Sequence, residues 1–200
     1  MAQIFAHPPL IAYAGGGFLI NFFMTTFFFH FPLIVTGQHH LKMTQYYMLL
    51  LPMMVISGGT MFGFSQGADK GWARPLAALA YLMFIPSFIL LFAPAWLGQS
   101  PTRLVPVFLA GTLFYIGFTG LEPILPSLAS KAAPGTAYGT ALGFYNTAQF
   151  VGSTVGGSVA GALANYSPTP TLFTMIVAAT IGFLMMVATK PPADAHTEAR

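Results

Sequence analysis

Few side chains in this chain have the type and setting to do chemistry, and the most conspicuous is Glu122 in the stretch FTGLEPILPSL. The 200 residues include only four acidic ones. Asp69, Asp194 and Glu198 lie in polar stretches, whereas Glu122 closes a long apolar run, between a leucine and a proline. A carboxylate there is costly unless it meets water, a proton or a counter-charge. Helical spacing places it on one face with Tyr115 and Thr119, at i−7 and i−3. Two readings stand. Glu122 carries a proton or pairs with a cationic substrate, or it is a helix-end residue, hydrated or paired with Lys131 or Arg74.

Other polar groups recur at helical spacing inside apolar sequence. Asn21 and Thr25 share a face, and so do Asn146, Gln149 and Ser153. Amides facing lipid are costly, so these faces should meet protein or a water-filled cavity. Interhelical hydrogen bonding and cavity lining both fit. His30 falls on nearly the opposite face from Asn21 and Thr25 unless Pro32 distorts the helix. It reads as a structural imidazole or a proton-coupling group. His39 and His40 have no third ligand in their loop, so no metal site is expected. Glycine pairs four apart, Gly139/Gly143, Gly152/Gly156 and Gly157/Gly161, would let helix backbones approach closely.

Enzyme chemistry finds no support. Cysteine is absent, which removes disulfides, thiolate ligands and cysteine nucleophiles. No glycine loop opens a helix after a strand, so no nucleotide cofactor is expected. Ser57, in VISGG, lacks the Gly-x-Ser-x-Gly setting of an intramembrane serine nucleophile.

The elements that must position these groups follow from composition. The chain is 56% hydrophobic and 6% charged, where a soluble domain carries about 25% charge. The lipid bilayer is therefore the expected solvent. Seven basic residues are spread singly and form no nucleic-acid patch. A spanning helix needs about 20 apolar residues, and six runs qualify: about 10–35, 45–64, 75–97, 104–125, 138–164 and 170–189. The runs are continuously apolar, unlike the alternating strands of a barrel, so the expected fold is all-α, with prolines such as Pro32, Pro52, Pro86, Pro106 and Pro123 marking kinks. The domain covers 1–189, with no cleaved signal before it and a polar tail at 190–200. Lys70, Arg74, Lys131, Lys190 and Arg200 fall on one side and Lys42 and Arg103 on the other, which predicts both termini in the cytoplasm.

The connection GFSQGADKGWARPL resembles a degenerate copy of the loop signature of the major facilitator superfamily, Gly-x-Leu-Ala-Asp-Arg-x-Gly-Arg-Arg. Asp69, Lys70 and Arg74 match its acidic and two of its basic positions, while Ser65 and Trp72 replace its glycines. A longer stretch is more specific. Glu122, Leu125-Pro126-Ser127-Leu128, Ser130-Lys131, Pro134, Gly139-Thr140-Ala141, Gly143 and Gln149-Phe150 resemble helices ten and eleven of drug:proton antiporters of that superfamily. MTTFFFHFPLIVTGQ resembles their seventh helix. The resemblance implies six transmembrane helices forming the C-terminal half of a twelve-helix transporter in the bacterial inner membrane. Its implied activity is proton-coupled efflux of small amphipathic compounds by alternating access. Spans one and four would line the cavity and spans two and five would flank it. That makes Asn21, Thr25, Tyr115, Glu122, Asn146 and Gln149 pathway candidates, with His30 as a further proton candidate. The phenylalanines Phe22, Phe23 and Phe27–Phe29 suit a pliable pocket or, by default, lipid contact. A half-length chain implies a partner: a second copy of itself or a separate N-terminal half. The alternatives are a truncated, inactive fragment and a membrane interaction subunit.

Overall fold

Apolar segments in lipid must satisfy every backbone N–H and C=O internally, which favours helices. A computed structural model describes residues 7–96, 104–133, 137–166 and 168–189, and the described residues contain helices and no strand. The elements are α1 (Pro8–Pro32), α2 (Met43–Gly67), α3 (Ala73–Trp96), α4 (Leu104–Lys131), α5 (Tyr138–Leu163) and α6 (Pro168–Ala188). A π-helical segment, Leu33–Gln38, extends α1, and a second, Ala68–Trp72, joins α2 to α3. The polar tail at 190–200, Pro134 and the basic residues Arg103, Lys190 and Arg200 lie outside the described residues.

Among the described residues, four stretches are long and apolar enough to cross a membrane: Pro8–Gly37, Thr44–Phe92, Leu104–Lys131 and Pro168–Ala188. The second, at 49 residues, would be roughly 74 Å long as a straight helix, more than twice the hydrocarbon thickness. It is not straight. Gly71 takes φ +89°, a left-handed conformation that breaks the rod and that a residue with Cβ rarely adopts.

Side-chain contacts fix the helix directions. Met53 meets Gly111 and Phe64 meets Gly120, so α2 runs parallel to α4. The Ser87 hydroxyl donates to the Ala110 carbonyl while Gly117 packs on Ala80, so α3 runs antiparallel to α4. Leu125 meets Gly16 and Phe114 stacks on Phe27, which sets α4 antiparallel to α1. Gly17 faces Tyr145 and Phe22 faces Gly156, so α5 runs parallel to α1. Arg74 reaches Val187 and Tyr81 reaches Gly182, so α6 opposes α3. The chain therefore alternates, with α1, α3 and α5 running one way and α2, α4 and α6 the other.

Aromatic rings fill the centre. Phe27 stacks on Phe114 with centroids 3.8 Å apart, and Phe23, Phe84 and Phe88 close around them. Phe22, Phe23 and Phe27 are thus core residues and not lipid-facing, while Phe28 and Phe29 remain exposed. The sequence pattern alone could not separate the two groups, because apolar residues surround every face of α1.

Candidate functional site

The polar groups of α1 and α5 are brought together by glycines. A Cβ at Gly152 would collide with the Phe18 carbonyl, and one at Gly156 with Thr25 Oγ1 and the Phe22 carbonyl. Only glycine permits this approach, which brings α1 and α5 into backbone contact. Gly17 supplies a third close point: its missing side chain makes room for the Tyr145 ring and for Gln149. Of the three glycine pairs, Gly152/Gly156 carries the packing, while Gly139, Gly143, Gly157 and Gly161 face open space.

Along this seam the polar side chains satisfy one another. Ser153 Oγ donates to Asn21 Oδ1 at 3.4 Å, and the Asn21 amide donates to the Gly17 carbonyl at 3.1 Å. Thr25 returns its hydroxyl to the Asn21 carbonyl, and Thr26 reaches across to the Gly156 carbonyl at 3.3 Å. Gln149 Nε2 donates to the Tyr145 hydroxyl at 3.2 Å. Interhelical bonding and an open edge coexist: Asn21, Thr25, Gln149 and Ser153 are all half-buried. Asn146, one turn before, is exposed and makes no hydrogen bond with the described residues.

Glu122 completes the strip from α4. The helix does not stop near 125; it continues through Pro123 and Pro126 to Lys131. Glu122 is therefore an interior residue of α4, more than two turns from its end. Its side chain is exposed on the face shared with Tyr145, close enough for its charge to act on that phenol. It makes no ion pair or hydrogen bond with the described residues. Arg74 is engaged elsewhere, and Lys131 makes no ion pair among the described residues. On the same face Thr119 donates to the Tyr115 and Ser57 carbonyls, at 2.8 and 3.3 Å. Tyr115, 6% exposed, packs edge-on against Phe27, Phe28 and Phe114.

The loop signature has a structural use. Arg74 Nη2 donates to the Met186 and Val187 carbonyls at 3.3 and 3.0 Å, capping the C-terminus of α6 where a cation complements the helix dipole. Lys131 borders a small cavity with Asp69, Ser65 and Ser127 between the ends of α2 and α4. Asp69 and Lys70 are exposed. His30 stands apart from the strip. It packs edge-on against Phe92 of α3, on the far side of α1 from Asn21. His39 and His40 gather no further ligand: no group of three metal-binding side chains exists among the described residues. Sequence reasoning missed Tyr145 and Gly17. The only signal for Tyr145 was its spacing four before Gln149, and nothing distinguished Gly17 within a run of three glycines.

With this geometry in hand, comparison with known proteins decides the family. A sequence model of the Major Facilitator Superfamily matches residues 1–157. The chain belongs to that superfamily. It is 37% identical over 73 residues to the inner membrane transport protein YajR of Escherichia coli, covering 36% of this chain. It is 41% identical over 54 residues to an uncharacterized transporter of Buchnera aphidicola, covering 27% of this chain. The chain spans 16% and 14% of those relatives' lengths. It is a multi-pass membrane protein of a transporter family.

Proposed function

We propose that α1–α6 make six membrane crossings, one half of a major facilitator transporter, which exports small amphipathic compounds in exchange for protons by alternating access. The observation that carries this reading is the polar strip from Glu122 through Tyr145 and Gln149 to Asn21, Ser153 and Thr25. It crosses three helices and opens on the side away from α3 and α6. Among the described residues its carboxylate has no cationic partner, which leaves it able to take up and release a proton or to meet a cationic substrate. Asn146 is exposed one turn along α5 from this strip, Tyr115 lies buried behind it, and His30 does not belong to it. The alternating helix directions give the even number of crossings that puts both termini on one side, the cytoplasmic face of the bacterial inner membrane by the charge bias. A second six-helix unit, either another copy or a separate N-terminal half, would close the open side. The test is proton-driven ethidium transport in inverted membrane vesicles holding the chain with its native partners. Glu122→Gln should abolish it at unchanged protein level. Transport that survives Glu122→Gln removes Glu122 from the coupling.

A further inference from the structure

Tyr145 has chemistry that the polar strip leaves half used. Its phenol oxygen accepts from Gln149 Nε2 at 3.2 Å, while its own O–H finds no acceptor among the described residues. The residue is 1% exposed, and a buried tyrosine hydroxyl ordinarily has a partner for its proton. Two consecutive glycines of α1 fix where that hydroxyl lies. A Cβ on Gly17 would meet Tyr145 Cε2 at 2.6 Å and Cζ at 3.0 Å, so the hydroxyl-bearing end of the ring occupies the notch that Gly17 leaves. A Cβ on Gly16 would meet Leu125, one turn beyond Glu122 on α4. One point of α1 therefore gathers the phenol of α5 and the part of α4 that carries Glu122, and the carboxylate charge acts on Tyr145.

The other titratable groups on the surrounding helices have different neighbours. The Tyr81 hydroxyl of α3 donates to the Gly16 carbonyl at 2.8 Å. Tyr13 of α1 lies near Arg74, whose guanidinium bonds to the end of α6. Tyr115, on α4 itself, packs among phenylalanines. Asp69 and Lys70, between α2 and α3, and Lys131, at the end of α4, make no ion pair with Glu122. Tyr138, at the start of α5, is exposed. Residues 168–188, which form α6, include no titratable side chain. Tyr145 thus stands out as the hydrogen-bond donor available to this carboxylate.

We infer that Tyr145 is a positioning residue for Glu122: its hydroxyl donates to the ionised carboxylate, holds it toward the strip, and loses that bond when Glu122 takes up a proton. The inference rests on the reading of Glu122 as the proton-exchanging group. The phenol keeps its own proton throughout, and Glu122 exchanges with water on its exposed side. Gln149 strengthens the device, because a hydroxyl that accepts one hydrogen bond becomes a better donor in the next. Gln149 also packs against Gly17, whose carbonyl holds the Asn21 amide. The proton occupancy of Glu122 is therefore felt at the α1–α5 seam. A donor to the charged form favours that form, so its removal favours the protonated carboxyl.

Infrared pH titration of the full chain in lipid nanodiscs tests the pairing, because it reads the carboxyl itself and needs neither substrate nor a second half. The Glu122 band is identified by its loss in Glu122→Gln. Tyr145→Phe, which keeps the ring in the Gly17 notch, should move the midpoint to higher pH by about one unit, roughly tenfold in proton affinity and the scale of one hydrogen bond to a charged group. Tyr81→Phe deletes a buried phenol hydroxyl already committed to Gly16 and should leave the midpoint in place. An unmoved midpoint in Tyr145→Phe overturns the pairing, and so does an equal shift in both variants. The result is separable from transport. A shift in Tyr145→Phe alone, with transport that survives Glu122→Gln, supports the pairing and removes the coupling. Transport lost in Glu122→Gln, with a midpoint indifferent to Tyr145→Phe, keeps the coupling and overturns the pairing.

Discussion

Replacing Gly156 with alanine adds one methyl group at the closest approach of α1 and α5. The new Cβ would lie 2.5 Å from the Phe22 carbonyl oxygen and 2.8 Å from Phe22 Cα, with Thr25 Oγ1 nearer still. Ordinary contact begins at 3.4 Å. The neighbours on the Phe22 side are backbone and cannot rotate away, so the helices must part by about 0.9 Å, the difference between 3.4 and 2.5 Å. A gap of 0.5–1 Å forfeits roughly a quarter to a half of each dispersion contact along the seam. It also stretches the Thr26 bond to the Gly156 carbonyl and the Ser153 bond to Asn21, already 3.3 and 3.4 Å. Overpacking of this kind costs about 1–3 kcal/mol, and the better helix propensity of alanine returns about 0.5–1 kcal/mol. The expected net loss is centred on about 1 kcal/mol and reaches at most about 2.5 kcal/mol, roughly fivefold and seventyfold in the folding equilibrium.

The neighbouring residue supplies the control. Nothing lies within 4 Å of a Cβ built at Gly157. Gly157→Ala therefore gains propensity without a clash, and its stability should be unchanged or higher by up to about 1 kcal/mol. Both variants are measured by denaturant titration of the reconstituted protein, following helical circular dichroism. Opposite behaviour at adjacent positions is a signature of one packed and one open helix face. Equal effects from the two substitutions would refute the α1–α5 seam as described.

Arg74→Met should remove the cap on α6, cost about 1–2 kcal/mol for the lost bonds to a charged donor, and speed amide exchange over residues 182–189 without disturbing α1. Tyr81→Phe deletes the 2.8 Å bond from its hydroxyl to the Gly16 carbonyl; intramembrane bonds average about 0.6 kcal/mol and reach ~1.7, so a loss near 1 kcal/mol in the same titration is expected. The chain has no cysteine, so single cysteines report directly: Asn146→Cys should react with a water-soluble maleimide in membranes and Ile181→Cys should not, and equal reactivity would remove water from the α5 face.

Much of the architecture is legible in the sequence because the bilayer imposes a length and a continuous apolar run on any spanning helix. What composition cannot give is rotation about each helix axis. In α1, apolar residues cover all sides, so the same phenylalanine run supplies both the buried Phe27 and the exposed Phe28. The end of α4 was set too early: the apolar run fades near 125, while the helix carries Pro123 and Pro126 in its interior and runs to Lys131. In lipid, neighbouring groups absorb the lost hydrogen bonds that would end such a helix in water. The polar groups of the candidate site were readable as residue types, but their partners were not. Asn21 meets Ser153 across a sequence separation of 132, and no periodicity within one helix predicts that pairing. His30 was grouped with them by chemistry alone, and its position on the other side of α1 gives it different neighbours.

The exposed sides of α2 and α5 lead to different conclusions. The outer face of α2 carries Tyr47, Met48, Leu51, Val55 and Phe62, side chains that lipid accommodates without cost. The outer face of α5 mixes Asn146, Thr147, Thr154 and Ser158 with Phe150, Val151 and Val155. The three hydroxyls bond back to carbonyls of their own helix and are nearly neutral in lipid. The Asn146 amide has no such outlet. This polarity is also why α5 alone among the six helices contributes nothing to the stretches apolar enough to cross a membrane. A helix of 26 residues, held in backbone contact with α1 by Gly152 and Gly156, has the length to span. The polar residues of α5 fall on both sides, Gln149 and Ser153 at the seam with α1 and Asn146 and the three hydroxyls outside. On that outer side the Asn146 amide is the group that calls for water or a protein partner in place of hydrocarbon.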